Sequence, residues 1–165
     1  MLEFDLSPLI GAHPGERLTF YLDEGPRQWN DITTDFLLGT FHFTRVQKGI
    51  LVQGKINTQV QSECVRCLKP FSLKMTLEVE EIIGLTKQPD PDTPYHITEE
   101  GLFNASSLLR EQTWVALPIK PLCAPECPGF CPQCGADLSV TTCDCHQGEI
   151  NPHFATLASL LDEQE

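Results

Sequence analysis

The sequence predicts an α+β fold: an antiparallel β-meander core with one packed helix, followed by a C-terminal Cys-rich segment and a short closing helix. Three observations predict it. Between Phe36 and Val79 apolar and polar residues alternate with the period of two that sets one face of a strand against a core. Around Leu108 the apolar spacing lengthens to that of a helix. Over residues 121–148 Cys, Pro and Gly replace large apolar side chains, so hydrophobic burial cannot order that stretch.

Taken in order, Leu2, Phe4 and Leu6, then Leu18, Phe20 and Leu22, alternate over two short strands. Phe41 and Phe43 alternate with Thr40, His42 and Thr44 in a strand that begins at Phe36. Gln47-Lys48-Gly49 reads as a turn, and a second strand follows from Ile50 through Ile56, Thr58 and Val60 to Cys64. Phe71, Leu73, Met75, Leu77 and Val79 make the third, antiparallel strand, with the Cys64/Cys67 loop joining it to the second. Gln88-Pro89-Asp90-Pro91-Asp92-Thr93-Pro94 is a loop, because proline removes ladder donors. Asn104 or a nearby Ser caps a helix whose stripe is Leu108, Leu109, Gln112 and Val115 and which Pro118 stops. Last, Asn151 caps and Pro152 opens a helix with Phe154, Leu157, Ala158 and Leu161 on one face.

Charge is unevenly spread along a chain of formal net charge −12. Over residues 36–77 Arg45, Lys48, Lys55, Arg66, Lys69 and Lys74 stand against Glu63 alone, whereas residues 121–165 hold no Lys or Arg. The acidic N-terminus lacks the basic region of a secretory signal, and no apolar run is long enough to span a bilayer. We therefore expect a cytoplasmic protein with no membrane partner.

In a reducing compartment, eight closely paired thiols read as metal ligands rather than disulfides. Cys131-Pro132-Gln133-Cys134-Gly135 has the form of a zinc knuckle, the Gly letting backbone amides approach the sulfurs. Cys143 and Cys145 complete a four-thiolate set, although their one-residue spacing is tight and His146 could replace one of them. Cys64, Cys67, Cys123 and Cys127 would share a second ion; a local set of Cys123, Cys127, Cys131 and Cys134 competes with that partition. One or two structural Zn²⁺ are expected. Residues 1–118 then form a β-rich core domain with the basic meander and helix, and residues 119–165 a zinc-binding appendage with the C-terminal helix, tied to the core through Cys64 and Cys67.

Cys64-Val65-Arg66-Cys67-Leu68-Lys69-Pro70, Leu117-Pro118 with Pro121-Leu122-Cys123, and Gly129-Phe130-Cys131-Pro132-Gln133-Cys134-Gly135 together resemble the YceD family, the large ribosomal RNA subunit accumulation proteins. The likeness runs from the basic meander to the closing helix and is weakest over the first 30 residues. It implies a role in accumulating or maturing large-subunit ribosomal RNA, with no assigned catalytic activity. Phe130 stands where the family usually has Leu, Asp137-Leu138-Ser139 where it has Asn-Leu-Asn, and Asn151-Pro152-His153 where it has Asp-Pro-Arg, which removes a cation.

The leading functional reading is a ribosome-biogenesis factor. Arg45, Lys48, Lys55, Arg66, Lys69 and Lys74 touch ribosomal RNA, or the acidic tail holds a basic ribosomal protein, or both. The plainer account of those cations is the solvated face of a half-buried sheet, and of Phe41, Phe43 and Phe71 the core. A different class, a redox-responsive zinc chaperone, would use oxidation of the thiols to eject zinc. Catalysis on a small-molecule substrate is not expected: Asp90 and Asp92 sit in a Pro-rich loop, Glu99 and Glu100 are adjacent, and His13, His42, His96 and His153 are scattered.

Overall fold

Three long strands carry the architecture. In the computed structural model, which describes residues 2–85 and 93–145, β1 (Glu3–Asp5), α1 (Ser7–Ile10), β2 (Arg17–Glu24) and β3 (Arg27–Gln28) precede the meander. The meander is β4 (Thr33–Val46), β5 (Gly49–Glu63) and β6 (Pro70–Gly84), each antiparallel to the next. β7 (Tyr95–His96), β8 (Leu102–Asn104) and α2 (Ser106–Ala116) follow. The main sheet runs β2-β4-β5-β6-β7, with β3 also on β4, while β1 and β8 form a separate pair. The expected α+β class and three-stranded meander are therefore present, with β2 and a short parallel β7 extending the sheet at its edges.

Alternation decides which face is dry. Leu37, Phe41 and Phe43 on β4, Ile50, Val52 and Ile56 on β5, and Leu77, Val79 and Ile83 on β6 are all buried, as the two-residue period requires. Against them pack Leu108 and Leu109 of α2 and the β1-β8 pair, whose Phe4 meets Phe41 and Phe43 at ring-centroid distances of 5.5 Å each. Phe41 and Phe43 are fully buried core residues, and Phe71 packs half-buried beside Cys64, Cys67 and Cys127.

Several local expectations change. β4 starts at Thr33, because a bulge between Thr34 and Leu37 lets the strand continue past Phe36. There the Thr58 hydroxyl donates to the Phe36 carbonyl at 2.6 Å, replacing a ladder bond. On α2 the buried stripe turns through Thr113, whose hydroxyl donates to the Leu109 carbonyl at 2.6 Å, and leaves Val115 79% exposed. Asn104 serves the helix start from one residue further out: its Oδ1 accepts from the Ser106 N–H at 2.9 Å, with Ala105 as the N-cap. Residues 88–92 of the expected Pro-rich loop, and the whole closing helix, lie outside the described residues. Among the described residues, no helix is long and apolar enough to cross a membrane.

Candidate metal centre

The β5–β6 connection is six residues long, 64–69, and it ends the strand pairing at Glu63 and Pro70. The turn closes through Leu68 N–H to the Cys64 carbonyl at 2.8 Å and Cys64 N–H to the Lys69 carbonyl at 3.0 Å. Leu68 takes a left-handed φ of 56° to do so. This places the Cys64 and Cys67 sulfurs on one side of the loop, both buried. The chain leaving α2 comes back past the same loop, where the Val65 N–H donates to the Pro121 carbonyl at 3.0 Å. Cys123 and Cys127 follow directly.

The result is a quartet. The four sulfurs of Cys64, Cys67, Cys123 and Cys127 lie within 4.8 Å of one another, with Cys64 Sγ to Cys127 Sγ at 3.8 Å and Cys67 Sγ to Cys123 Sγ at 3.7 Å. A tetrahedral zinc with Zn–S bonds of about 2.3 Å has S···S edges of about 3.8 Å, whereas a disulfide needs about 2.05 Å. All eight cysteines are free thiols. The spacing of this quartet fits a four-thiolate metal site.

A second quartet is built from Cys131, Cys134, Cys143 and Cys145, again with all sulfurs within 4.8 Å. Gly135, at φ 73°, turns the chain so that its N–H reaches the Cys131 carbonyl at 2.9 Å, and Cys131 N–H bonds the Ala136 carbonyl at 2.8 Å. The one-residue spacing of Cys143 and Cys145 does not prevent both from reaching the cluster. His146 lies outside the described residues. The competing local set of Cys123, Cys127, Cys131 and Cys134 is not the one the geometry assembles.

The electrostatics of both quartets favour a cation. Cys64 is pulled down to about 6 by the backbone N–H of Cys123 and then by that of Cys67, against the cost of burial. Cys131 is likewise pulled down to about 6 by the backbone N–H groups of Cys134 and Gln133. Their neighbours move the other way: hydrogen bonds with the Cys127 side chain push Cys123 up to about 12, and those with Cys134 push Cys145 up to about 12. In each quartet one cysteine is thus drawn toward the thiolate while two others are held as thiols. A divalent cation bound by the sulfurs would take the place of protons.

The cations of residues 36–77 differ in what they touch. Arg45 ties the β4–β5 turn, donating to the carbonyls of Val46 and, at 2.7 Å, Gly49. Lys55 pairs with Glu78 across the strands at 2.7 Å. Arg66 Nη1 donates to the Cys127 carbonyl at 2.8 Å, and Lys69 Nζ meets Asp137 at 2.8 Å and Ser139 Oγ at 3.0 Å. Among the described residues Lys55 and Lys69 are the members of this set with an ion pair; Arg45 and Arg66 keep their charge while donating to carbonyls. Lys48 and Lys69 stand at opposite ends of a strand of 15 residues, up to about 50 Å apart at about 3.3 Å per residue. Sequence reasoning missed Asp137 as the partner of Lys69; its signal was the Asp-x-Ser turn, in which Asp137 Oδ1 accepts from the Ser139 N–H at 2.9 Å.

Comparison with known proteins supplies the context. Uncharacterized proteins of Mycobacterium bovis and Mycobacterium tuberculosis strain H37Rv are each 29% identical to this chain over 123 residues, 70% of this chain and 58% of theirs. One of Mycobacterium leprae is 28% identical over 121 residues, 70% of this chain and 55% of its own. The chain thus matches little more than half the length of these relatives. No solved structure matches it. The family model described as "Large ribosomal RNA subunit accumulation protein YceD" matches residues 52–161, a span that starts within β5 and takes in β6, α2 and all eight thiols of the two quartets, and the chain belongs to that family.

Proposed function

We propose that this chain is a non-catalytic, cytoplasmic zinc-binding factor of ribosome biogenesis, supporting accumulation of large-subunit ribosomal RNA by holding a basic ribosomal protein. The family description supports the process. Zinc is supported by the ligand chemistry, since four thiolates at tetrahedral spacing suit a redox-inert, borderline-soft ion. Four thiolates also fill the tetrahedron, leaving no position at which a metal-bound water could react.

Open depressions also lie on the described surface. One, of about 580 Å³, has Asp31 as its single titratable lining residue, and Arg110 already holds that carboxylate. Another, of about 680 Å³, is lined by Lys55, paired with Glu78, by Glu80, and by His42, whose Nδ1 is bonded to Thr19 Oγ1 at 2.9 Å.

The choice of a basic protein over RNA rests on one observation: four of the six cations of the basic segment are spent on contacts inside the molecule. The chain as a whole, those cations included, carries a formal net charge of −12, to which each zinc held by four thiolates would add about −2. Such a surface repels phosphate and attracts Lys- and Arg-rich segments. The test is a pair of measurements on the purified full chain: zinc per chain by mass spectrometry, and capture from separated pools of large-subunit ribosomal proteins and ribosomal RNA. Two zinc ions and salt-sensitive retention of a basic ribosomal protein are expected. A salt-sensitive RNA shift with no protein retained would replace the partner, and a metal-free native chain would remove the zinc.

A further inference from the structure

The two quartets are not independent, and the loop between β5 and β6 is where they meet. Besides holding Cys64 and Cys67, it supplies the frame on which the second quartet hangs. The Arg66 carbonyl accepts the Phe130 N–H at 3.1 Å, immediately before Cys131. Lys69 reaches across to Asp137, immediately after the Cys134 turn, and to Ser139. Gly129 lies so close beneath the loop that a Cβ there would fall 2.6 Å from the Arg66 carbonyl oxygen, and its φ of 69° is one that other residues rarely take. Its own carbonyl receives the Leu138 N–H at 2.9 Å, so both arms of the second turn are referred to one short stretch of the first site.

The two quartets are unequally anchored. The first quartet takes Cys64 and Cys67 from the end of a 15-residue strand and Cys123 and Cys127 from just beyond α2, both anchored by the apolar core. The second takes all four sulfurs from residues 131–145, where no described helix or strand supports them. Burial follows the same order, with three of four cysteines buried in the first quartet and one of four in the second.

We propose that the metal sites load in a fixed order: the first quartet, once filled, sets the 64–69 loop as a template, and Arg66, Lys69 and Gly129 are the positioning residues through which it raises the metal affinity of the second. This rests on the reading of both quartets as metal sites. Zinc in the first site locks the spacing of Cys64 and Cys67 and thereby presents the Arg66 carbonyl and Lys69 ammonium in one geometry. The Cys131/Cys134 turn then folds onto a preformed surface instead of ordering it, and the entropy of doing so falls.

The experiment is metal stoichiometry and Co²⁺ titration of the full chain, followed by the thiolate-to-cobalt absorption, with circular dichroism monitoring the sheet. Removing the second quartet with Cys131→Ser and Cys134→Ser is expected to leave one ion bound. Removing the first with Cys64→Ser and Cys67→Ser is expected to lose both. Should that second variant fail to fold, Gly129→Val decides, because it keeps all eight thiols and presses a Cβ against the Arg66 carbonyl: one ion stays and the affinity for the other drops by about tenfold or more, while Lys69→Ala, which leaves the backbone of both sites untouched, lowers it roughly threefold, the scale of a half-exposed ion pair. One ion retained at undiminished affinity after loss of Cys64 and Cys67, or an unchanged second affinity in Gly129→Val, overturns the coupling. A wild-type chain that binds no metal overturns instead the metal reading beneath it.

Discussion

Residues 33–84 and residues 121–145 belong to one chain, yet they bury different things. The first stretch buries Leu37, Phe41, Phe43, Ile50, Val52, Ile56, Leu77, Val79 and Ile83. In the second the buried residues are Cys127, Gly129 and Cys131, while Phe130 and Val140 face solvent. Apolar area removed from water orders the sheet. Residues 121–145 have almost none to remove, and their order comes from turn hydrogen bonds and convergent sulfur. The lesson is that the sheet and the sulfur-bearing stretch obey separate rules of tolerance: one is sensitive to volume, the other to metal and redox state.

Chelation should break the comparison most violently. A structural zinc contributes about 10–16 kcal/mol in small peptides, as much as the stability of a whole domain. Adding a strong chelator under reducing conditions is therefore expected to open residues 121–145 to protease while amide exchange in β4, β5 and β6 stays slow. Equal loss of protection in both stretches would mean that the sheet, too, is organised by metal.

The converse perturbation is a cavity in the sheet. Phe43 is fully buried and meets Phe4, Phe20, Phe41 and Phe103 at centroid distances of 5.5 to 6.1 Å. Phe43→Ala should cost about 3–5 kcal/mol, seen as a lower urea midpoint. Because the substitution touches neither quartet, metal per folded chain should not change.

These two regions were also unequally legible. Periodicity alone exposed β4, β5 and β6, because one wet and one dry face write themselves into alternate residues from Phe41 to Val79. The two-residue strands β3 and β7 left no such pattern, being fixed by their neighbours in the sheet. Paired cysteines showed that a metal site was chemically reasonable, but which pairs meet depends on where the end of α2 falls relative to the β5–β6 loop. That is a tertiary fact. The surplus of cations over residues 36–77 does not by itself describe a surface, since Lys69 meets Asp137 far along the chain and Lys55 meets Glu78 across a strand. Charge sums count residues, whereas potentials depend on what lies beside each of them.

The smallest effect expected tests the seam between the regions, where α2 ends and the chain turns toward the sulfur sites. Asp31, in the short turn before β4, accepts from Arg110 Nε at 2.8 Å and from Arg110 Nη2, and from Trp114 Nε1 at 3.1 Å. Hydrogen bonding from Arg110 first, and then from Trp114, holds its carboxyl below the ordinary 3.8. A group whose folded pKa is depressed contributes stability above its unfolded value and loses it as pH falls through the folded one. The tie is thus intact at neutral pH and lost only below about pH 4. Trp114 and Trp29 both line the same groove, so indole emission reports on it directly. Acidification of the chain should shift that emission in a step below pH 4, and Asp31→Asn should abolish the step while leaving metal content at pH 7 unchanged. A step that survives the substitution would assign the titration to another group.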